Sequence, residues 1–120
     1  MTPRILIVDH SEEVGAALTM YLRQETDWLV RTTDNGDQAW ELIQQAHYDI
    51  VQTEGVLLGM HGLELCALIK RHHPAVKVLF ASSWITADEA FAFGADEYIN
   101  KPFQLVDYMA ILEKLLGLHS

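Results

Sequence analysis

Cysteine is nearly absent: Cys66 stands alone among 120 residues. A single thiol excludes an internal disulfide and a cysteine-based zinc site. Its place in a helical apolar pattern predicts a small core hydrophobe. Bases are scarce as well, 8 against 17 acids, for a net charge of −9. So acidic a chain lacks the basic face that direct nucleic-acid binding needs, and its acids read as a solvated surface. No apolar run is long enough to span a bilayer. Met1-Thr2-Pro3-Arg4 leads straight into an apolar run, which leaves no signal peptide. A cytoplasmic protein with no membrane partner is therefore expected. Repeats, linkers and low-complexity stretches are missing too. The length predicts one domain over residues 1–120, and half the residues are apolar, enough for a real core at this size.

What is present is a set of short apolar runs that end in charge. Ile5-Leu6-Ile7-Val8 stops at Asp9-His10, Asp49-Ile50-Val51-Gln52-Thr53 stops at Glu54, and Glu97-Tyr98-Ile99-Asn100 stops at Lys101-Pro102-Phe103. Short runs rich in Ile and Val, separated by helix-like segments, read as buried parallel strands. Ligands of open parallel sheets bind in the crevice beyond the strands' carboxyl ends. Two acids, an imidazole and an ammonium are thus expected around one crevice.

Strand and helix patterns alternate five times. Strand one is expected from Arg4 to Asp9. Ser11 can cap the next helix, with Glu12 and Glu13 in its positive first turn. Val14, Ala17, Leu18, Tyr21 and Leu22 recur on one face. Trp28 to Thr33 is rich in β-formers. Asp34-Asn35-Gly36-Asp37 is a turn into a second helix with Ala39, Leu42, Ile43 and Ala46 on its face. Strand three runs from Asp49 to Thr53, and a loop from Gly55 to Gly62 leads to helix three, from Leu63 to His72, stopped by Pro74. Val76 to Ala81 is strand four. Thr86 can cap a short fourth helix ending near Gly94, and strand five is Glu97 to Asn100. The last helix, Gln104 to Leu116, is expected to bury Leu105, Tyr108, Met109, Leu112 and Leu115 or Leu116. Five such units predict a doubly wound, three-layer α/β/α sandwich.

Five strings in order carry a family resemblance: Ile5-Leu6-Ile7-Val8-Asp9, Tyr48-Asp49-Ile50-Val51, Gly59-Met60-His61-Gly62-Leu63-Glu64-Leu65, His73-Pro74-Ala75-Val76-Lys77-Val78 and Gly94-Ala95-Asp96-Glu97-Tyr98-Ile99-Asn100-Lys101-Pro102-Phe103. Over essentially its whole length the chain resembles the receiver domain of bacterial two-component response regulators, the CheY-like superfamily. The resemblance implies a flavodoxin-like fold with strand order 2-1-3-4-5. It also implies phosphoryl transfer from a histidine kinase to an acid ending strand three. Mg²⁺ is held there by that acid and by acids ending strand one. A lysine ending strand five and a Ser or Thr ending strand four contact the phosphoryl group. A hard cation with oxygen ligands is what offsets the negative charge that gathers in such a reaction.

Matched residue by residue, that machinery is incomplete. The acceptor position holds Glu54, whose carboxylate reaches about 1.5 Å further than an aspartate's, one C–C bond. An offset of about 1 Å can cost about a hundredfold in an in-line reaction. Asp9 is kept, but His10 replaces the second acid, the family's direct metal ligand; neutral imidazole brings no charge and suits magnesium poorly. Leu58 stands where the family usually has proline, and His61 where it usually has aspartate. Lys101 matches the phosphate-contacting lysine and is expected to pair with Glu54 or Asp9. Ser82 matches the strand-four hydroxyl when Pro74 is the anchor, whereas counting back from Lys101 puts Leu79 there. Tyr98 matches the switch aromatic, and equally reads as an ordinary half-buried strand tyrosine.

The expectation is a degenerate pseudo-receiver with no enzyme activity and no metal at Asp9, His10 and Glu54, signalling through contact with a histidine kinase or a downstream target. The alternative is an active phosphoryl acceptor, with Mg²⁺ as cofactor. Asp9, His10 and Glu54 also offer one nitrogen and two oxygens to zinc, with nothing further in the sequence to support it. His72-His73 at a helix end is best explained by the helix dipole. No Gly-x-Ser-x-Gly elbow supports a nucleophilic triad. A flavin-binding protein is disfavoured, because His10-Ser11-Glu12-Glu13-Val14 is no phosphate loop. Trp84, Ile85, Phe91 and Phe93 suggest a protein-binding patch, in keeping with the family's use of helix four, strand five and helix five for dimers and targets.

Overall fold

The apolar runs do pair side by side, all parallel. The computed structural model describes residues 1–118. Its strands are β1 (Arg4–Val8), β2 (Leu29–Thr33), β3 (Ile50–Thr53), β4 (Lys77–Ser82) and β5 (Glu97–Asn100), in the order β2-β1-β3-β4-β5. This is the flavodoxin-like order. Register sets the crevice: Val8 pairs with Thr33 and with Thr53, and Ser82 pairs with Asn100. Asp9, Glu54 and Lys101 therefore leave the sheet at the same end.

The helices are α1 (Glu12–Glu25), α2 (Gly36–Gln45), α3 (Gly62–His72), α4 (Ala87–Ala92) and α5 (Leu105–Leu115). Because successive strand residues face opposite sides, the strands build two cores. Leu6, Val8, Val51, Val78 and Phe80 pack on α2, α3 and α4, around Cys66. Ile5, Ile7, Ile50, Leu79 and Ala81 pack on α1 and α5, around Tyr108. Burial pushes the Cys66 thiol up to about 12, so it packs as the inert hydrophobe expected of it.

Side-chain caps start four helices. Ser11 Oγ accepts from Val14 N, Asn35 Oδ1 from Gln38 N, His61 Nδ1 from Leu63 N, and Thr86 Oγ1 from Glu89 N. His61, read from the sequence only as a departure from the family, thus has a local job. Two expected core residues are corrected: Ala17 and Leu105 are exposed. Both meet the spacing rule, but they lie at the margin between α1 and α5, where the sheet no longer covers the stripe. β2 is an edge strand with Leu29 exposed. His72 and His73 pack on the Trp40 ring, each with centroids 5.7 Å apart.

Candidate functional site

The loops after β1, β3 and β5 place four side chains at the carboxyl ends. Asp9 and Glu54 are buried, at 4% and 7% exposure. Lys101 spans them, with Nζ 2.5 Å from Asp9 Oδ2 and 3.0 Å from Glu54 Oε1. The other carboxylate edges turn the opposite way. Glu54 Oε2 accepts from the His10 backbone N–H at 2.7 Å and also hydrogen-bonds the His10 ring through Nδ1. Asp9 Oδ1 accepts from Ser11 N at 2.9 Å and lies 3.8 Å from His10 Nδ1. Both oxygens of the acceptor-position carboxylate are therefore engaged.

Burial and hydrogen bonding divide the two acids. Burial pushes Asp9 above its ordinary carboxylate value, and its bonds to Lys101 and Ser11 offset that only in part. Burial acts on Glu54 in the same sense, but the backbone and ring of His10, with Lys101, outweigh it and hold Glu54 low. Lys101 loses hydration, which lowers its value; the two acids more than restore it, and its ammonium is held above the usual value.

One glycine sets the approach of the acceptor loop. A Cβ on Gly62 would stand 1.7 Å from the Glu54 carbonyl oxygen, so only glycine lets α3 begin against the end of β3. The loop is also stitched to the one before α2: Gly36 N donates to Leu58 O at 2.8 Å and Leu58 N to Asp34 O at 3.1 Å. A proline in place of Leu58 has no N–H for the second bond.

Ser82, not Leu79, closes β4. Leu79 is buried mid-strand opposite Glu97. Ser82 Oγ accepts from Trp84 N at 3.0 Å and Ile85 N at 2.9 Å, so its lone pairs hold the turn into α4. Tyr98 is half-buried, and its hydroxyl lies within reach of Ile85 O, Asn100 Oδ1 and Ser82 O. Burial, then the charge of Glu89, raises its phenol. A cleft of about 310 Å³ opens above the cluster, lined by His10, Glu54, Ser82, Trp84, Ile85 and Lys101, among others. Trp84 beside it is 86% exposed.

Strand order, the placement of Asp9, Lys101 and Ser82, and the Lys-Pro turn after β5 all point one way. The sequence profile of the response regulator receiver domain matches residues 5–113. The chain belongs to the response regulator receiver family. Among curated relatives of this receiver, the DNA-binding transcriptional regulator NtrC of Azospirillum brasilense is 31% identical over 116 residues, 94% of this chain and 24% of that protein. The transcriptional regulatory protein SrrA of Staphylococcus aureus is 29% identical over 118 residues, 97% of this chain and 48% of that one. The receiver thus spans a quarter to a half of these relatives. The non-phosphorylated HemR receiver domain of Leptospira biflexa superimposes with a TM-score of 0.86 at 29% identity, covering 99% of this chain and 98% of the other. TrrA of Thermotoga maritima, solved with Mg²⁺–BeF, gives 0.86 at 26% identity, covering 95% and 99%. Among the described residues, no helix of this receiver is long and apolar enough to cross a membrane.

Proposed function

We propose that this receiver domain works in two-component signalling as a pseudo-receiver, by contact with other proteins and without Mg²⁺-dependent phosphoryl transfer. The observation that carries the reading is the clamped acceptor. Glu54 gives one oxygen to Lys101 and the other to His10. A carboxylate must free an oxygen, aligned with phosphorus, before it can attack. The donor set also fits magnesium poorly. Mg²⁺ demands near-octahedral oxygen coordination and keeps several waters. Here a nitrogen stands at one ligand position, where magnesium selects oxygen. The Lys101 ammonium and the His10 imidazole occupy the two edges of the acid pair, an arrangement that needs no phosphate to assemble it.

The contacts belong on the face of α4, β5 and α5. Trp84, Phe91, Phe93 and Val106 are exposed there, at 86%, 47%, 44% and 72%, beside the Tyr98 hydroxyl that ties β5 to the turn before α4. Adjacent exposed aromatics favour a protein partner over bulk solvent. A histidine kinase, a downstream target or a second copy of this chain fits that surface.

The retained Asp9, Lys101 and Ser82 favour a second reading, in which Glu54 still accepts phosphate with Mg²⁺ as cofactor. Acetyl phosphate or phosphoramidate with Mg²⁺, followed by mass spectrometry, separates the two. We expect no gain. A Mg²⁺-dependent gain of about 80 Da, one phosphoryl group, located at Glu54, overturns the contact-only reading.

A further inference from the structure

Lys101 uses only one edge of each acid, Oδ2 of Asp9 and Oε1 of Glu54. The remaining oxygens, Asp9 Oδ1 and Glu54 Oε2, face the His10 ring. Asp9, His10 and Glu54 each place one ligating atom within 4.8 Å of the other two. Among the described residues no second trio of His, Cys, Asp or Glu gathers this closely.

We propose that Asp9, His10 and Glu54 form a binding site for a borderline divalent cation of the zinc class, one that discriminates against magnesium. The inference rests on the pocket being ill suited to Mg²⁺ and goes further, since the same replacement that weakens a magnesium site improves one for zinc. Imidazole nitrogen with carboxylate oxygen is a donor set for zinc, nickel or copper, whereas magnesium selects oxygen alone. Zn²⁺ is held by nitrogen and oxygen at about 2.0–2.2 Å, which puts tetrahedral donors about 3.3 Å apart. Asp9 Oδ1 and His10 Nδ1 stand 3.8 Å apart, near that spacing, whereas the closer contact between His10 Nδ1 and Glu54 Oε2 must open by rotation of the His10 ring.

The parts that must be fixed are fixed, and the part that must move is free. Backbone N–H groups of Ser11 and His10 hold the two carboxylate oxygens in place. That is the outer support which orients metal ligands. The His10 side chain is 59% exposed and can turn, so a cation can enter between Nδ1 and Oε2. Lys101 stays on the far edges and competes for neither ligating oxygen. The cleft beside His10 and Glu54 leaves the outer coordination position to water. The other described histidines are engaged elsewhere: His47 with Asp49, His61 as the α3 cap, His72 and His73 on Trp40.

The test is calorimetry, thermal melting and visible spectroscopy on chelator-treated protein, with Zn²⁺, Co²⁺ and Mg²⁺ each added alone. Zn²⁺ should bind with one ion per chain and raise Tm, because a ligand specific to the folded state stabilises it. Co²⁺ should give a visible absorption band, and Mg²⁺ at the same concentration should do neither. His10→Ala should weaken Zn²⁺ binding about tenfold or more, whereas His47→Ala should leave it unchanged. His10→Asp should shift the preference towards Mg²⁺. Wild-type protein that binds no Zn²⁺, or binding equally strong in His10→Ala and Glu54→Gln, overturns the site. Either result leaves the contact-only reading standing, because that reading fails only on phosphorylation of Glu54.

Discussion

Two lysines pair with acids at opposite ends of the same sheet, and they differ in what surrounds them. At the amino ends, Lys70 meets one acid. Its Nζ donates to Asp96 Oδ2 at 2.9 Å and to the carbonyls of Val76 and Pro74 at 2.9 and 3.1 Å. Asp96 in turn accepts from Val78 N. One positive and one negative charge, with every donor of the ammonium used, make a closed structural joint between α3, β4 and the loop before β5. At the carboxyl ends, Lys101 meets two acids, leaving one negative charge over, and His10 stands at the exposed edge. A surplus carboxylate charge in a buried pocket is expensive unless something offsets it. Stability alone would favour the Lys70 arrangement. The Lys101 arrangement is the kind that persists for a function, or as the remnant of one.

That contrast sets the largest expected effect. Lys101→Ala strands two buried carboxylates and should cost about 3–5 kcal/mol in urea unfolding at pH 7. Lys70→Ala strands one acid that keeps its backbone donor, and should cost about 1–3 kcal/mol. Equal losses would mean that the second acid at the carboxyl ends carries no charge in the folded state.

Titration sharpens the same comparison. Glu54, held low, contributes stability above its ordinary value of 4.5, which is lost as pH falls through its folded value. Asp9, pushed up by burial, opposes this: above its ordinary 3.8 it weakens the fold as it ionises. Lys101, held high, contributes below its ordinary 10.5 and loses that contribution as pH climbs through the folded value. Glu54→Gln should therefore approach wild-type stability as pH drops below about 4.5. A gap between the two that stays constant from pH 7 to pH 3 would break the assignment. The smallest effect is expected at the rim. Trp84→Ala should change stability by no more than about 0.5 kcal/mol, yet weaken partner capture or self-association in sedimentation.

The strands were the most legible part of the chain. Ile5 to Val8 and Ile50 to Thr53 are buried on both faces, and their composition says so without help from periodicity. Charge at the strand ends then located the crevice. The helices were less legible at their margins. Spacing alone put Ala17 and Leu105 inward, since a repeat of 3.6 cannot show how far the sheet extends beneath. The caps at Asn35 and His61 were missed for different reasons. Asn35-Gly36-Asp37-Gln38 carries the polar start signal of a helix, hidden behind an obvious turn. A histidine cap has no such signal. The split between Asp9 and Glu54 was not readable, because it depends on which oxygen each backbone N–H meets.

Leu58 bears on how this receiver can change. Its N–H completes a stitch between the loop carrying Glu54 and the loop carrying Asp34. A proline there would remove a thread, and an aspartate at position 54 would shorten the side chain that both Lys101 and His10 grip. Each substitution alone removes a contact that the present arrangement uses. The two loops are thus coupled through this one residue, and a substitution in either is felt at the crevice and at the start of α2 together.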